Sequence, residues 1–223
     1  MERGKDKKVK TNQPMAKKKI ISVKGMKDKK FHTLEFNEFY AKLMGKPERK
    51  FTMICYGESG SGKSVFLMQF SDYFAKTFGK SLYNSHEEGA NQTIQNRINN
   101  YNIDAVKLFV GDAMTFEEMC MAIEKNYYRL VIIDSVKYMG FTFTQLRELR
   151  KRFSNRLLCI VLVDFGSTKG SPDSGKDLIH ASDVKMYFKN GRVYSISRYL
   201  DTPVEVQLFQ PNKAQTAQQR LFV

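Results

Sequence analysis

From residue 51 to residue 165 the chain alternates between short runs that are apolar throughout and longer stretches in which apolar residues recur every three or four positions. The runs at 51–56 (FTMICY), 81–85 (SLYNS), 107–110 (KLFV), 130–134 (LVIID) and 157–165 (LLCIVLVDF) predict strands. The stretches at 63–78, 90–99, 115–126 and 142–153 predict helices. A strand apolar on both faces has to be covered on both, and strands that alternate with helices pair in parallel. Residues 185–209 have period-two patterning and an Asn190-Gly191 turn, which predicts an antiparallel hairpin extending the sheet edge. Residues 31–50 predict a short strand, a short helix and a turn closed by Gly45 and Pro47. In the helix at 144–153 (TQLRELRKRF), Leu146, Leu149 and Phe153 share the face that packs on the sheet. Arg147, Arg150, Lys151 and Arg152 lie mostly on the other faces, either solvated or along a nucleic-acid path. The expected fold is α/β: a mostly parallel central sheet flanked by helices, with a C-terminal antiparallel hairpin at its edge. There is no internal repeat.

A chain of 223 residues with 42% hydrophobic residues suits one such domain and fills its core without covalent staples. The expected organisation is a tail over 1–30, a core over 31–209 and a C-terminal tail over 210–223. Charge supports this division. Of the formal net charge of +14, residues 1–30 carry +9, from twelve lysines and arginines against Glu2, Asp6 and Asp28. That segment has almost nothing to bury and is expected to be disordered. A flexible polycation attracts phosphate backbones without reading sequence, or serves as a solubilising or targeting tail. Cys55, Cys120 and Cys159 sit far apart in apolar or helical runs, so they predict buried thiols in a reducing cytoplasm and not a disulfide frame or a metal site. No apolar run reaches the roughly 18 residues of a membrane span, and no hydrophobic segment follows the N-terminal lysines, so no membrane anchor and no secretion signal are expected.

The chemistry concentrates at YGESGSGKSVF, residues 56–66. Gly57, four residues, then Gly62, Lys63 and Ser64 fit G-x-x-x-x-G-K-[ST], with a strand before and a helix after, as a phosphate loop requires. Its glycines let the backbone amides of Gly57, Glu58, Ser59, Gly60, Ser61 and Gly62 curl around phosphates, while the helix entering at Lys63, Ser64 and Val65 adds its dipole. Lys63 is expected to reach the β- and γ-oxygens of ATP and Ser64 to bind Mg²⁺. Two similar stretches fail the test. Gly170 to Asp177 satisfies G-x-x-x-x-G-K but puts a carboxylate where the hydroxyl belongs, and the GKS at 79–81 has Phe74 in place of the first glycine and leads into a strand. Asp134, at the end of an apolar strand, is the expected second carboxylate on the metal side. Ser135 follows it, orienting the water shell or capping the next segment. Glu87 and Glu88 fall just past a strand, on the side of a parallel sheet that lines the ligand crevice. One of them is expected to orient the attacking water.

The blocks LYNSHEEGANQTIQNRI, LVIIDSV, GSTKG and GKDLIHASD, in this order, resemble the RecA-type ATPase core, closest to the bacterial RadA branch and to single-domain RadA-like ATPases of phages. The resemblance covers residues 31–209 and implies a RecA-like P-loop NTPase fold. It further implies a ring or filament of identical subunits, with ATP between neighbours and single-stranded DNA along the axis. On that pattern Lys63 and Ser64 match the phosphate-loop pair, Asp134 the second acidic strand end, and one of Glu87 and Glu88 the catalytic glutamate. Counting back from Arg97 selects Glu88 and counting from Gln92 selects Glu87. Gly166 stands where the family usually has a Gln or His that senses the γ-phosphate. The loop from Gly166 to Asp183 matches the family's mobile DNA-contacting loop, which offers Lys169 and Lys176 to phosphates. Arg198 matches a residue that reaches a neighbour's ATP site in trans, or else is committed to a local ion pair. The implied function is a Mg²⁺-dependent, DNA-stimulated ATPase that binds single-stranded DNA in recombination, repair or replication, of phage or mobile-element type and acting in the cytoplasm of a bacterial host. Two alternatives stand beside it: a non-hydrolysing nucleotide-binding adaptor with a recruiting protein partner, and a hexameric helicase motor.

Overall fold

A computed structural model describes residues 20–166, 172 and 175–209. Lys169, most of the N-terminal tail and residues 210–223 lie outside the described residues. The chain divides into two units, Met1–Phe31 and His32–Val223. In the first, a five-residue helix, α1 (Val23–Lys27), falls inside the stretch read as tail; Ser22 caps it and none of its residues is buried.

The second unit holds the sheet. Its elements are α2 (Glu38–Met44), β1 (Phe51–Gly57), α3 (Lys63–Thr77), β2 (Ser81–Ser85), α4 (Gln92–Asn100), β3 (Leu108–Asp112), α5 (Phe116–Asn126), β4 (Leu130–Asp134), α6 (Val136–Met139), α7 (Phe143–Arg152), β5 (Cys159–Phe165), α8 (Lys176–Ala181), β6 (Val184–Lys189), β7 (Arg192–Ser197) and β8 (Val204–Gln207). The strands form one sheet in the order β3-β2-β4-β5-β1-β6-β7-β8. Every pairing from β3 to β6 is parallel, and β6/β7 and β7/β8 are antiparallel.

Alternate residues of the central strands serve opposite layers, as period-two geometry demands. Phe51, Met53 and Cys55 of β1, with Cys159, Val161 and Val163 of β5, face the layer built by α2 and α3. Ile54, Leu82, Val131, Ile133, Ile160 and Leu162 face the layer of α5 and α7. Leu146, Leu149 and Phe153 are buried there, as the helical pattern predicts. The basic face of α7 is not simply solvated: Arg150 donates to Thr52 Oγ1 and to the Ala181 carbonyl, and Arg152 pairs with Glu124 at 2.8 Å. Cys55, Cys120 and Cys159 are free and buried.

Local signals account for the boundaries. Thr115 with Glu118 and Thr142 with Gln145 form capping boxes at the starts of α5 and α7. Asn190 and Gly191 both take positive φ, 50° and 72°, as a two-residue hairpin turn requires. Three features differ from the pattern reading. The stretch before α2 makes one isolated bridge, Thr33 to Glu48, because its apolar residues pack on α3 and not along a neighbouring strand. The antiparallel edge has a third strand, β8. The short helices α6 and α8 carry too few residues to show a period. Among the described residues no helix is long and apolar enough to cross a membrane.

Helix α3, which carries the phosphate loop, is anchored by aromatic rings. Phe70 packs against Tyr40 at 5.1 Å and Phe74 at 5.8 Å between centroids and is fully buried. Phe70→Ala is therefore expected to lower unfolding free energy by about 3–5 kcal/mol in urea denaturation; a loss below about 1 kcal/mol would show that the cluster collapses around the gap.

Candidate nucleotide site

Strand β1 ends at Gly57 and α3 begins at Lys63, so the intervening loop stands at the C-terminal edge of the sheet beside β5 and β6. Side chains cap α2, α4, α5, α6 and α7, whereas the N-cap of α3 is Gly62, with φ of 98° and no side-chain hydrogen bond. The first-turn amides of the longest helix are thus left as donors, the arrangement that favours an anion. Lys63 is 9% exposed, and its ammonium donates to the carbonyls of Gly57 at 2.7 Å and Glu58 at 2.8 Å. An ammonium has three donors, so one remains for a phosphate oxygen. Burial lowers the pKa of Lys63, and the carboxylates of Asp134 and Glu87 oppose that shift.

The acidic side of the site comes from β2 and β4, which pair so that Ser85 stands opposite Asp134. Asp134 is 5% exposed, and the Tyr83 hydroxyl donates to its Oδ2. Burial pushes the Asp134 carboxyl above the ordinary carboxylate value, against the Tyr83 hydrogen bond, with Glu88 adding to the rise. Its Oδ1 is buried without a partner, as are Ser85 Oγ and Ser61 Oγ. Buried oxygens are rarely left bare, and orphaned carboxylate and hydroxyl oxygens beside a phosphate loop suit a hard cation with its water shell. Among the described residues no cluster of three or more His, Cys, Asp or Glu forms a metal cage. Ser64 and Asp134 are the residues that fit the ion.

Glu87 and Glu88 differ in their partners. Both oxygens of Glu88 accept from Arg97, at 3.0 and 3.1 Å, a bidentate pair that occupies the carboxylate. Glu87 has no side-chain hydrogen bond among the described residues. Partial desolvation, with Asp134 and Glu88 nearby, raises its pKa. Its backbone amide donates to the Asp134 carbonyl at 3.0 Å, which ties this turn to the end of β4.

A cavity of about 500 Å³ is lined by Gly60, Gly62, Lys63, Ser64, Glu87, Glu88 and Arg97 together with Tyr101, Phe165 and Phe209, while Asp134 and Ser85 are buried and do not line it. Phe209, just past β8, lays its ring where a side chain on residue 62 would have to stand. Tyr101 and Phe209 are both partly exposed. Gly166 packs closely against the start of the phosphate loop. The Gly166 amide donates to the Gly57 carbonyl at 3.0 Å, and a Cβ on Gly166 would lie 2.7 Å from the Gly57 Cα.

The remaining sequence candidates fall elsewhere. Lys176 opens α8 and is exposed, and it does not line the cavity. Arg198 is held by Asp183 at 2.9 Å and lines a different cavity with Lys50 and Thr52, at the start of β1. Ser135 is the N-cap of α6, accepting from the Tyr138 amide. Pattern reasoning missed Tyr83, Ser85, Tyr101 and Phe209. For the first two a signal existed, since they occupy alternate positions of the SLYNS strand and so share a face.

No protein-family profile matches the chain. Among curated proteins it is similar to the DNA repair protein RadA of Salmonella typhimurium, at 27% identity over 163 residues, which are 68% of this chain and 35% of that protein. The chain thus spans about a third of the length of this relative. Among solved structures it is similar to a KaiC-like protein of Pyrococcus horikoshii, with TM-score 0.58 and 13% identity over 80% of this chain and 93% of that one. It is equally similar to the flagellar accessory protein FlaH of Methanocaldococcus jannaschii, with TM-score 0.58 and 14% identity over 81% and 96%. The mixed α/β sheet, mostly parallel with antiparallel C-terminal strands, matches the RecA-like fold of these structural neighbours.

Because Gly166 lies against Gly57, Gly166→Gln should not install a sensor. The expected outcome is a loss of about 1–3 kcal/mol in stability with weaker nucleotide binding, read by urea denaturation and calorimetry. Unchanged stability would mean that β1 and β5 can part at this end.

Proposed function

We propose that the chain binds Mg-ATP in the cavity at the C-terminal edge of the sheet, hydrolyses it, and couples the nucleotide state to binding of single-stranded DNA in recombination, repair or replication. The observation that carries the catalytic part is the convergence of Lys63, the uncapped start of α3 and Glu87 on one cavity, with the buried Asp134 carboxylate close enough to act on the Lys63 charge. In this reading the loop amides from Glu58 to Ser61 and the third Lys63 donor hold the phosphates. Ser64 and Asp134 seat Mg²⁺, which, when bound, neutralises charge on the phosphate oxygens. Glu87 orients the attacking water and takes its proton. Glu88, locked by Arg97, is a positioning residue that fixes the turn carrying Glu87. Tyr101 and Phe209 flank the base.

DNA as partner is supported by the similarity to the DNA repair protein RadA and by the net charge of +14. Lys169 and Lys176 are the proposed loop contacts, and assembly of identical subunits the proposed working form. Arg198 acts in trans only if it leaves Asp183. Gly166 favours one second reading: without a side chain there, the core could bind ATP as a regulator with little turnover.

Phosphate release and calorimetry separate the two. Lys63→Ala is expected to abolish Mg-ATP binding. Glu87→Gln should retain binding and lose about 10²- to 10⁴-fold in turnover, while Glu88→Gln loses less. A native protein that binds Mg-ATP yet releases no phosphate, with or without single-stranded DNA, leaves the regulator. No binding at all removes both.

A further inference from the structure

The opposite edge of the sheet carries a second ordered array. The parallel register aligns Ser81 with Leu108, Ser81 with Leu130, Leu130 with Cys159, and Cys159 with Phe51. The residues that immediately precede these strands therefore stand side by side in the order Lys107, Lys80, Arg129, Leu158, Lys50. Backbone hydrogen bonds fix that line: the Ser81 amide donates to the Lys107 carbonyl, Arg129 to Lys80, Leu158 to Arg129 and Lys50 to Leu158, at 2.7–3.1 Å. Four of the five positions are cationic. At about 4.8 Å per strand the row extends about 19 Å.

Asp183, which lines a cavity with Lys50 at one end of the row, is paired with Arg198, and no described carboxylate lines the other end. Lys80, Lys107 and Arg129 line an open cavity of about 410 Å³ with Gly79, Lys125, Asn126 and Tyr127, and no carboxylate is among the lining residues. The nearby acids are engaged elsewhere, Glu124 with Arg152 and Asp104 with Lys76. At one end of this cavity Tyr127 takes the left-handed conformation, φ 52°, and is 61% exposed, with the Arg156 guanidinium 4.4 Å from its ring centre.

We infer that this strand-start edge is a docking surface for the phosphodiester backbone of nucleic acid, separate from the nucleotide cavity and from the loop that carries Lys176. A straight row of point charges without a shaped pocket suits a ligand whose charges repeat along a line. One strand of DNA presents a charge about every 3.4 Å of axis, so the row runs along several successive phosphates. The Tyr127 ring, backed by Arg156, offers one base a stacking face. The partner class is that of the proposed function, but the surface stands without ATP hydrolysis and without the loop.

Fluorescence anisotropy of the full chain with a labelled oligothymidylate, over a salt series, tests it. Combined Lys80→Glu, Lys107→Glu and Lys125→Glu substitution is expected to weaken binding at least about tenfold, and to flatten the slope of log K against log salt by about 2. The corresponding triple Gln variant should flatten the slope as much with a smaller loss of affinity, and it guards against misfolding of the charge-reversed chain. The titrations are run without nucleotide, so a native chain that releases no phosphate leaves this result intact. Native affinity and slope in both triple variants overturn the inference. So does a labelled polyglutamate peptide that binds the native chain more tightly than oligothymidylate and is lost with the triple variants, which reassigns the edge to an acidic protein. Loss of DNA binding in Lys176→Glu alone also overturns it, and leaves DNA on the loop.

Discussion

The structure is organised around the burial of one ammonium. Lys63 begins a helix whose next turns are lined by Phe66, Leu67 and Phe70, and it stands 9% exposed at the end of an apolar strand. A cation in that position is costly unless its donors are used and carboxylates lie within range. The Gly57 and Glu58 carbonyls use two donors, and Asp134 and Glu87 supply the opposing charge. The loop must curl tightly enough to turn two carbonyls onto its own lysine, and the Ser61 amide closes that curl by donating to the Glu58 carbonyl.

That requirement propagates outward. The loop has to be pinned, and the aromatic packing of Phe70 and Tyr40 holds α3 while Gly57 hydrogen-bonds Gly166 at the end of β5. Strand β5 lies between β1 and β4 and sets the Asp134 carboxylate two strands away from the loop. Tyr83 fixes one oxygen of Asp134 and leaves the other bare. The adjacent glutamates differ because of a single arginine one helix later: Arg97 takes both oxygens of Glu88, so the carboxylate left open to the cavity is that of Glu87.

What was readable beforehand tracks the range of the interaction involved. The five parallel strands and the hairpin follow from period and from Asn190-Gly191, both local, and the loop residues and Asp134 follow from a motif in its strand context. Spacing gives two registers for Glu87 and Glu88, and the pairing of Glu88 with Arg97, nine residues away on another element, is a contact that spacing does not reveal. Phe209 against Gly62 and Gly166 against Gly57 are contacts between distant chain segments with no local signature. The cationic row was invisible for a different reason. Lys50, Lys80, Lys107 and Arg129 are scattered in sequence and become neighbours only through strand order and register.

Parallel topology itself explains why chemistry divides between the two edges. Every strand from β3 to β1 starts in one plane and ends in the other, so residues before the strands meet one another and residues after them do likewise. Strand β1 joins the edges, with Lys50 at its start and Gly57 at its end, about 23 Å apart at roughly 3.3 Å per residue. At that distance surface charges are largely screened from each other, so neither site alters the other by direct electrostatics. Any influence of ATP on a ligand at the far edge has to pass through an element with two arrangements, whose balance each ligand biases by its own differential affinity. Gly166 narrows where that bias can arise. In the proposed reading, with no side chain there to meet the γ-phosphate, Lys63, Glu87 and an ion held by Ser64 and Asp134 are left to distinguish triphosphate from diphosphate. Of these, only Glu87 stands on a turn bonded through its backbone to the end of β4, beside a clamp, Arg97 with Glu88, that can hold or release it.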